Sequence, residues 1–293
     1  MTVPRLLIVA GSDCGGGAGI QADIKTASAY GVYAMTAITA VTVQNTLGVS
    51  GWHPVPPETV RAQIEACLTD IGADAVKTGM LGDAAMVETV ADALKDIPAP
   101  LVPLVVDPVM VAKGGARLLA DAAVAAIRAR LLPLATLVTP NLPECEALIG
   151  AAPATQDEAR AAARKFHALG VRHVLFKGGH AFDTPLRPAL AREPATGTAP
   201  AGASRAGEGG AIVRDMLADG ESGEVLVLEA PRIETAHTHG TGCTLASAIA
   251  CGLARKQPLA EAVKRAHAYV QAAIRTAPGL GAGHGPLNHF VRP

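Results

Sequence analysis

The run His239-Gly240-Thr241-Gly242-Cys243 leads directly into an Ala/Leu-rich helical pattern, so a glycine turn, a helix start and a thiol fall within five residues. The first turn of a helix leaves backbone N–H groups unpaired and carries partial positive charge, which suits it to hold a phosphate or a developing oxyanion. A thiol placed there is expected to have a pKa below its ordinary value of about 8.5, and the thiolate would serve as a nucleophile or as a proton acceptor. The competing reading of Cys243 is a small buried hydrophobe, the common fate of a free Cys. Gly240 and Gly242 favour chemistry, because they let backbone amides face a ligand. His237 and His239 form an isolated His-x-His with no third partner at metal spacing and read as a loop feature.

Four further places combine reactive side chains with the end of a predicted strand, where ligands of open α/β sheets bind. Gly11-Ser12-Asp13-Cys14-Gly15-Gly16-Gly17-Ala18-Gly19 lacks both the dinucleotide fingerprint and the Gly-Lys-Ser/Thr of a P-loop, which leaves a tight turn or a close backbone approach to a ligand. In Thr42-Val43-Gln44-Asn45-Thr46 a strand ends in two amides. Gln44 offers both a donor and an acceptor, suited to the edge of an aminopyrimidine, and a solvated loop is the alternative. Asp107-Pro108-Val109-Met110 and Asn141-Leu142-Pro143-Glu144 each carry an acid, and such carboxylates can hold Mg²⁺ through water. Asn141 also fits a helix cap. Lys177-Gly178-Gly179-His180 sets a lysine after a strand, as a phosphate contact or as an ordinary surface lysine.

The elements that must position these residues alternate. Short β-branched runs at 6–10, 35–43, 75–78, 104–107, 136–139 and 171–176 are separated by helical patterns at 20–30, 58–70, 84–96, 121–132, 144–150 and one ending near Leu169. That order predicts an α/β fold with a central, mainly parallel sheet flanked by helices on both faces. Thr155 and Glu158 form a capping box at the start of the last of these helices. Residues 211–217 and 224–228 flank Ala218-Asp219-Gly220-Glu221-Ser222-Gly223 as a hairpin, and two long helices, 244–255 and 259–276, close the pattern. One domain over 1–293 is expected, with a mobile low-complexity insertion at 183–210.

Composition narrows the partners. The chain has 293 residues, 25 basic and 26 acidic, for a formal charge of −1. No basic cluster offers a footprint for nucleic acid or for a membrane surface, so small-molecule partners are expected. The five cysteines are odd in number and form no Cys-x-x-Cys, which fits reduced thiols in a cytosol. The apolar start at 6–10 is too short for a signal segment, and polar or glycine residues interrupt every long apolar stretch. The expected location is cytoplasmic.

The chain resembles one family over nearly its whole length: the hydroxymethylpyrimidine/phosphomethylpyrimidine kinases of thiamin biosynthesis, within the ribokinase-like superfamily. The resemblance is carried by Ala10-Gly11-Ser12-Asp13 through Gly19-Ile20-Gln21-Ala22-Asp23, Gln44-Asn45-Thr46, Lys77-Thr78-Gly79-Met80-Leu81, Asp107-Pro108-Val109-Met110, Thr139-Pro140-Asn141-Leu142-Pro143-Glu144, Lys177-Gly178-Gly179-His180 and His239–Cys243, in that order. It implies a ribokinase-like fold with a small hairpin or flap insertion. The implied activity is ATP-dependent phosphorylation of 4-amino-5-hydroxymethyl-2-methylpyrimidine and then of its monophosphate.

By the same resemblance Gln44 reads the pyrimidine, with Gly11, Asp23, Met80 and Val109 near the same pocket. Asp107, Asn141 and Glu144 belong to the Mg-ATP region, Lys177 contacts phosphate, and Gly240, Thr241, Gly242 and Cys243 form an anion hole. Cys243 stands where sugar kinases of the superfamily place an aspartate base, and is expected to take the hydroxymethyl proton late in transfer. ATP and Mg²⁺, the latter held mainly through water and ATP phosphates, are the implied cofactors, with a monovalent cation as a further candidate and a homodimer as the assembly. Two departures from the family pattern stand out: the 183–210 insertion occupies the place of a short flap, and Cys14 puts a second thiol near the pocket. The alternatives are a pyridoxal/pyridoxine kinase of the same superfamily and a catalytically silent pyrimidine-binding regulator.

Overall fold

The computed structural model describes residues 2–97, 101–110, 120–179 and 211–293. The expected mobile insertion at 183–210 and His180 lie outside the described residues. Among the described residues nine strands form one sheet: β1 (Arg5–Asp13), β2 (Tyr33–Asn45), β3 (Gly48–Pro54), β4 (Ala75–Thr78), β5 (Leu104–Val106), β6 (Leu137–Val138), β7 (His173–Gly179), β8 (Ile212–Asp219) and β9 (Val225–Pro231). Their spatial order is β3-β2-β1-β4-β5-β6-β7-β8-β9. The six strands from β2 to β7 pair parallel, while β3, β8 and β9 join antiparallel at the two edges.

Alternation along the central strands explains why helices cover both faces. Leu7, Val9, Val76, Val106, Val138 and Phe176 point into one core. It is closed by α2 (Pro57–Ala66), α3 (Ala84–Leu94), α4 (Asp121–Ala126), α5 (Leu142–Ile149) and α6 (Gln156–His167). Leu6, Ile8, Ala10, Val105, Leu137 and Leu175 point the other way, under α1 (Gly19–Ala29), α7 (Thr241–Ala254) and α8 (Leu259–Arg275). Burying both faces is what makes the parallel strands read as continuous apolar runs, and each Leu or Ile sealed there contributes roughly 1.5–3 kcal/mol. Among the described residues no helix is long and apolar enough to cross a membrane.

Most expected elements are present with shifted ends. The helical pattern at 58–70 divides into α2 and a π-helical turn, Cys67–Ile71, stopped by Gly72; that at 121–132 divides into α4 and a second π-helical turn, Ile127–Leu131. Thr155 and Glu158 form the expected capping box, and so do Asn141 and Glu144 on α5. Strand β3 was not expected: Gly48, Gly51 and Pro54 break its apolar pattern, and backbone pairing with β2 makes it a strand. Ser12, Asp13, Gln44 and Lys177, expected just past strand ends, lie within the last residues of β1, β2 and β7.

The decisive feature of the order is the reversal at β1. The chain moves from β1 outward through α1 to β2, then returns to place β4 on the opposite side of β1. Diverging connections leave a crevice at the carboxyl ends of β1 and β4.

Candidate active site

The crevice holds a cavity at the reversal point. Of the residues proposed from the sequence, Gly11, Gln44, Met80 and Val109 line one part, Asp107, Asn141, Glu144 and Lys177 another, and Gly240, Thr241, Gly242 and Cys243 lie in its wall. Asp23 does not line it. It is fully buried behind the wall, accepting from Lys77 Nζ at 2.8 Å and from Ser247 Oγ at 2.7 Å. A carboxylate in the middle of an amphipathic helix faced the core, and only a lysine from the neighbouring strand makes that burial tolerable. Lys77, carried by the Lys77–Leu81 segment but given no role from the sequence, borders the cavity from behind with its side chain fully buried.

The glycine loop also differs from expectation. Gly15 N donates to Asp13 Oδ1 at 2.8 Å, while Gly17 N and Ala18 N donate to Oδ2 at 3.1 and 2.8 Å. These three amides are spent on the loop's own carboxylate rather than offered to a ligand. The close approach made by glycine is to another loop instead. Gly240, the residue before α7, has φ +83°, and a Cβ there would lie 1.7 Å from the carbonyl oxygen of Gly17. His239 is buried against the same loop, its Nε2 2.9 Å from Asp13 Oδ2 and 3.0 Å from Gln44 Nε2. His239 lies in the loop before α7, as expected, but that loop position does not reveal that it joins β1, β2 and the start of α7. Its partners are 226 and 195 residues away, and no local signal marks them.

Burial alone would push Asp13 upward, but hydrogen bonds from His239, Ala18 and Gly15 outweigh it and hold the carboxyl below its ordinary range. Cys14 Sγ rests 3.1 Å from the Gln44 carbonyl oxygen, on the exposed side of the loop, and does not line the cavity.

On the opposite wall Lys177 Nζ donates to Asp107 Oδ1 at 2.9 Å, and Glu144 Oε2 is 3.8 Å from the same ammonium. Thr139 Oγ1 adds a donor to Asp107 at 3.0 Å. Burial raises Asp107, but Lys177 and Lys77 more than reverse that and leave it below its ordinary range. Glu144 is held above its ordinary range, by burial first and by repulsion from Asp107, against the pull of Lys177. Two carboxylates thus face one shared ammonium, a donor set with negative charge to spare. A Cβ on Gly242 would come 3.4 Å from Lys177 Nζ and 3.8 Å from Asp107 Oδ2, so glycine keeps open the gap between the helix start and this wall.

The start of α7 leaves the Gly242 and Cys243 amides without intrahelical acceptors. The expected depression of the Cys243 pKa is overturned. Burial pushes the thiol up to about 11, with Asp23 and Asp107 adding to the rise and outweighing Lys77 and the Gly19 amide. A helix terminus stabilises a thiolate by only about 0.3–1 kcal/mol where water screens it, less than desolvation beside two carboxylates costs.

The fold and site together define a ribokinase-like α/β protein with a helix start facing a lysine and two carboxylates. The model of the phosphomethylpyrimidine kinase family matches residues 13–288, and the chain belongs to that family. A hydroxymethylpyrimidine/phosphomethylpyrimidine kinase of Haemophilus influenzae is 44% identical over 99% of this chain and 97% of its own length. The thiamine biosynthesis bifunctional protein ThiED of Geobacter sulfurreducens is 48% identical over 98% of this chain, which spans only 52% of that protein. Among solved structures, a Bacillus subtilis pyridoxal kinase in complex with ADP superposes with a TM-score of 0.80 at 36% identity, over 98% of both chains.

Proposed function

We propose that this protein transfers the γ-phosphoryl group of ATP to the hydroxymethyl oxygen of 4-amino-5-hydroxymethyl-2-methylpyrimidine, and then a second phosphoryl group to the monophosphate, in thiamin biosynthesis. The observation that carries the reading is one cavity with Gln44, an amide suited to a pyrimidine edge, on one wall and Lys177 with Asp107 and Glu144 on the other. The start of α7 lies between them. Gly11, Met80 and Val109 would bound the ring. Lys177 would neutralise charge on the transferring group, and the Gly242 and Cys243 amides would hold its oxygens.

Mg²⁺ fits this donor set. Asp107 and Glu144 carry more negative charge than one ammonium balances, and Asn141 fixes Glu144 by donating its backbone N–H to Oε2 at 2.8 Å. Among the described residues no group of three His, Cys, Asp or Glu forms a cage, so the ion would be held mainly through water and ATP phosphates. When bound, it neutralises charge on the β- and γ-phosphates.

In transfer the hydroxymethyl oxygen bonds to the γ-phosphorus, the bond to the leaving oxygen of ADP breaks, and the hydroxyl proton passes to the Cys243 sulfur. The thiol must first lose its own proton to solvent, so the reactive fraction grows with pH toward about 11. We further propose a homodimer in the cytoplasm. The edge hairpin of β2 and β3 leaves Val41, Val43 and Leu47 exposed at 49, 53 and 72%, an apolar surface that a second copy would cover.

Pyridoxal is the competing substrate, because the ADP-bound neighbour is a pyridoxal kinase. The test is ADP release with Mg-ATP and each of hydroxymethylpyrimidine, its monophosphate and pyridoxal. Higher kcat/KM for the first two supports the proposal; failure with the monophosphate removes the second step. Faster turnover of pyridoxal replaces the substrate, and no ADP with any of them leaves a silent binding protein.

A further inference from the structure

His239 Nε2 touches two groups that make opposite demands on it. It stands 2.9 Å from Asp13 Oδ2 and 3.0 Å from the Gln44 amide. A neutral ring nitrogen carries a proton or a lone pair, never both. Asp13 is buried and already accepts from the Gly15, Gly17 and Ala18 amides, a setting that selects the carboxylate, which has no proton to give. Nε2 therefore bears the hydrogen and donates it to Asp13.

An N–H cannot meet the –NH₂ of Gln44 head-on at 3.0 Å. The two ends of a carboxamide are nearly isosteric and are told apart by their partners. Turned by 180°, Gln44 presents its carbonyl oxygen to the same His239 N–H, whose one hydrogen is then shared between Asp13 Oδ2 and the amide oxygen as a three-centre bond. Its –NH₂ then takes the position 3.5 Å from Thr42 Oγ1. Thr42 spends its own hydrogen on the Ser12 carbonyl at 2.8 Å and has a lone pair left. Every donor in the chain from Asp13 to Thr42 then faces an acceptor.

We propose that Asp13 and His239 are positioning residues that hold the Gln44 carbonyl against His239 and turn its –NH₂ toward the cavity. Gln44 then recognises a hydrogen-bond acceptor on the substrate, the ring nitrogen beside the amino-bearing carbon, and not the exocyclic amine. The substrate half of this inference rests on the pyrimidine occupying the cavity; the orientation of the amide does not.

Two measurements separate the halves. The first is ¹⁵N NMR of the free wild-type protein at about pH 8, above the ordinary imidazole range. It should show His239 as the Nε2–H tautomer with a slowly exchanging proton. An Nδ1–H tautomer overturns the proposal, whatever the protein phosphorylates.

The second compares kcat/KM for hydroxymethylpyrimidine with two analogues, one with CH in place of that ring nitrogen and one with hydrogen in place of the amine. Loss of the nitrogen should cost roughly 10- to 100-fold, as expected when a buried donor is left unpaired. Gln44→Ala should erase that penalty and keep the penalty for the amine. Erasing the amine penalty instead means that the carbonyl faces the cavity, and overturns the proposal; erasing neither overturns it as well. His239→Phe should shrink the nitrogen penalty while KM for Mg-ATP stays within about twofold, and His239→Asn serves if the Phe variant does not fold. A protein active on no pyrimidine removes the substrate half and the proposed function, while the NMR result still decides the orientation.

Discussion

Two Asp–Lys pairs, one joining helix α1 to β4 and the other joining the end of β5 to β7, do different work. Asp23 and Lys77 meet at 2.8 Å with both side chains fully buried; Asp107 and Lys177 meet at 2.9 Å with the lysine 17% exposed at the cavity. The third partner differs too. Ser247 completes the sealed pair with a neutral hydroxyl, whereas Glu144 adds a surplus carboxylate to the open one. Burial keeps Asp23 above its ordinary range even with Lys77 beside it, while Asp107 is drawn below by two lysines. The sealed pair ties α1, β4 and α7 together. The open pair has charge and access to spare for a ligand. An Asp–Lys contact becomes a site through its exposure and its unmatched third group, not through its length.

The largest expected effect tests the residue between the pairs. Cys243→Ala should lower kcat about 10²–10⁴-fold while leaving Mg-ATP binding near normal; an unchanged kcat would reduce the thiol to packing. Lys77→Met should cost about 3–5 kcal/mol in denaturant unfolding, because it strands a buried carboxylate, and Lys77→Met with Asp23→Leu should recover most of that. A loss below about 1 kcal/mol for the single variant would mean that the sealed pair is no strut.

Lys177→Met should show the reverse profile, kcat falling about 10²–10³-fold with less loss of stability than Lys77→Met. Equal stability losses would erase the distinction between the pairs. With the Cys243 pKa raised to about 11, its alkylation by iodoacetamide should quicken about tenfold per pH unit from 7 to 10. A plateau below pH 9 would show the opening expectation of a depressed pKa to be right after all. The smallest effect is expected from Asn141→Ala, about 0.5–2 kcal/mol in thermal unfolding for loss of the α5 cap, with KM for Mg-ATP rising as Glu144 loosens.

Much of this molecule was legible from its residues. β-branched runs alternating with helical patterns imply the parallel sheet, and Asn141 and Thr155 mark their helix starts through chemistry within four residues. Twelve of the thirteen proposed site residues line the cavity: eight lie at or just past the carboxyl ends of parallel strands, which the topology brings to one edge, and four form the start of α7. Asp23 is the exception: its helical position does not reveal that Lys77 waits on β4.

What only the tertiary structure decided is electrostatic. The Asp13–His239–Gln44 chain joins residues about 200 apart, and the protonation of Cys243 follows from burial beside Asp23 and Asp107. The local pattern around His239–Cys243 determined that amides and a thiol would sit at a helix start. Desolvation and charge at short range depend on which distant segments pack there, so the proton on that thiol was settled only by the fold.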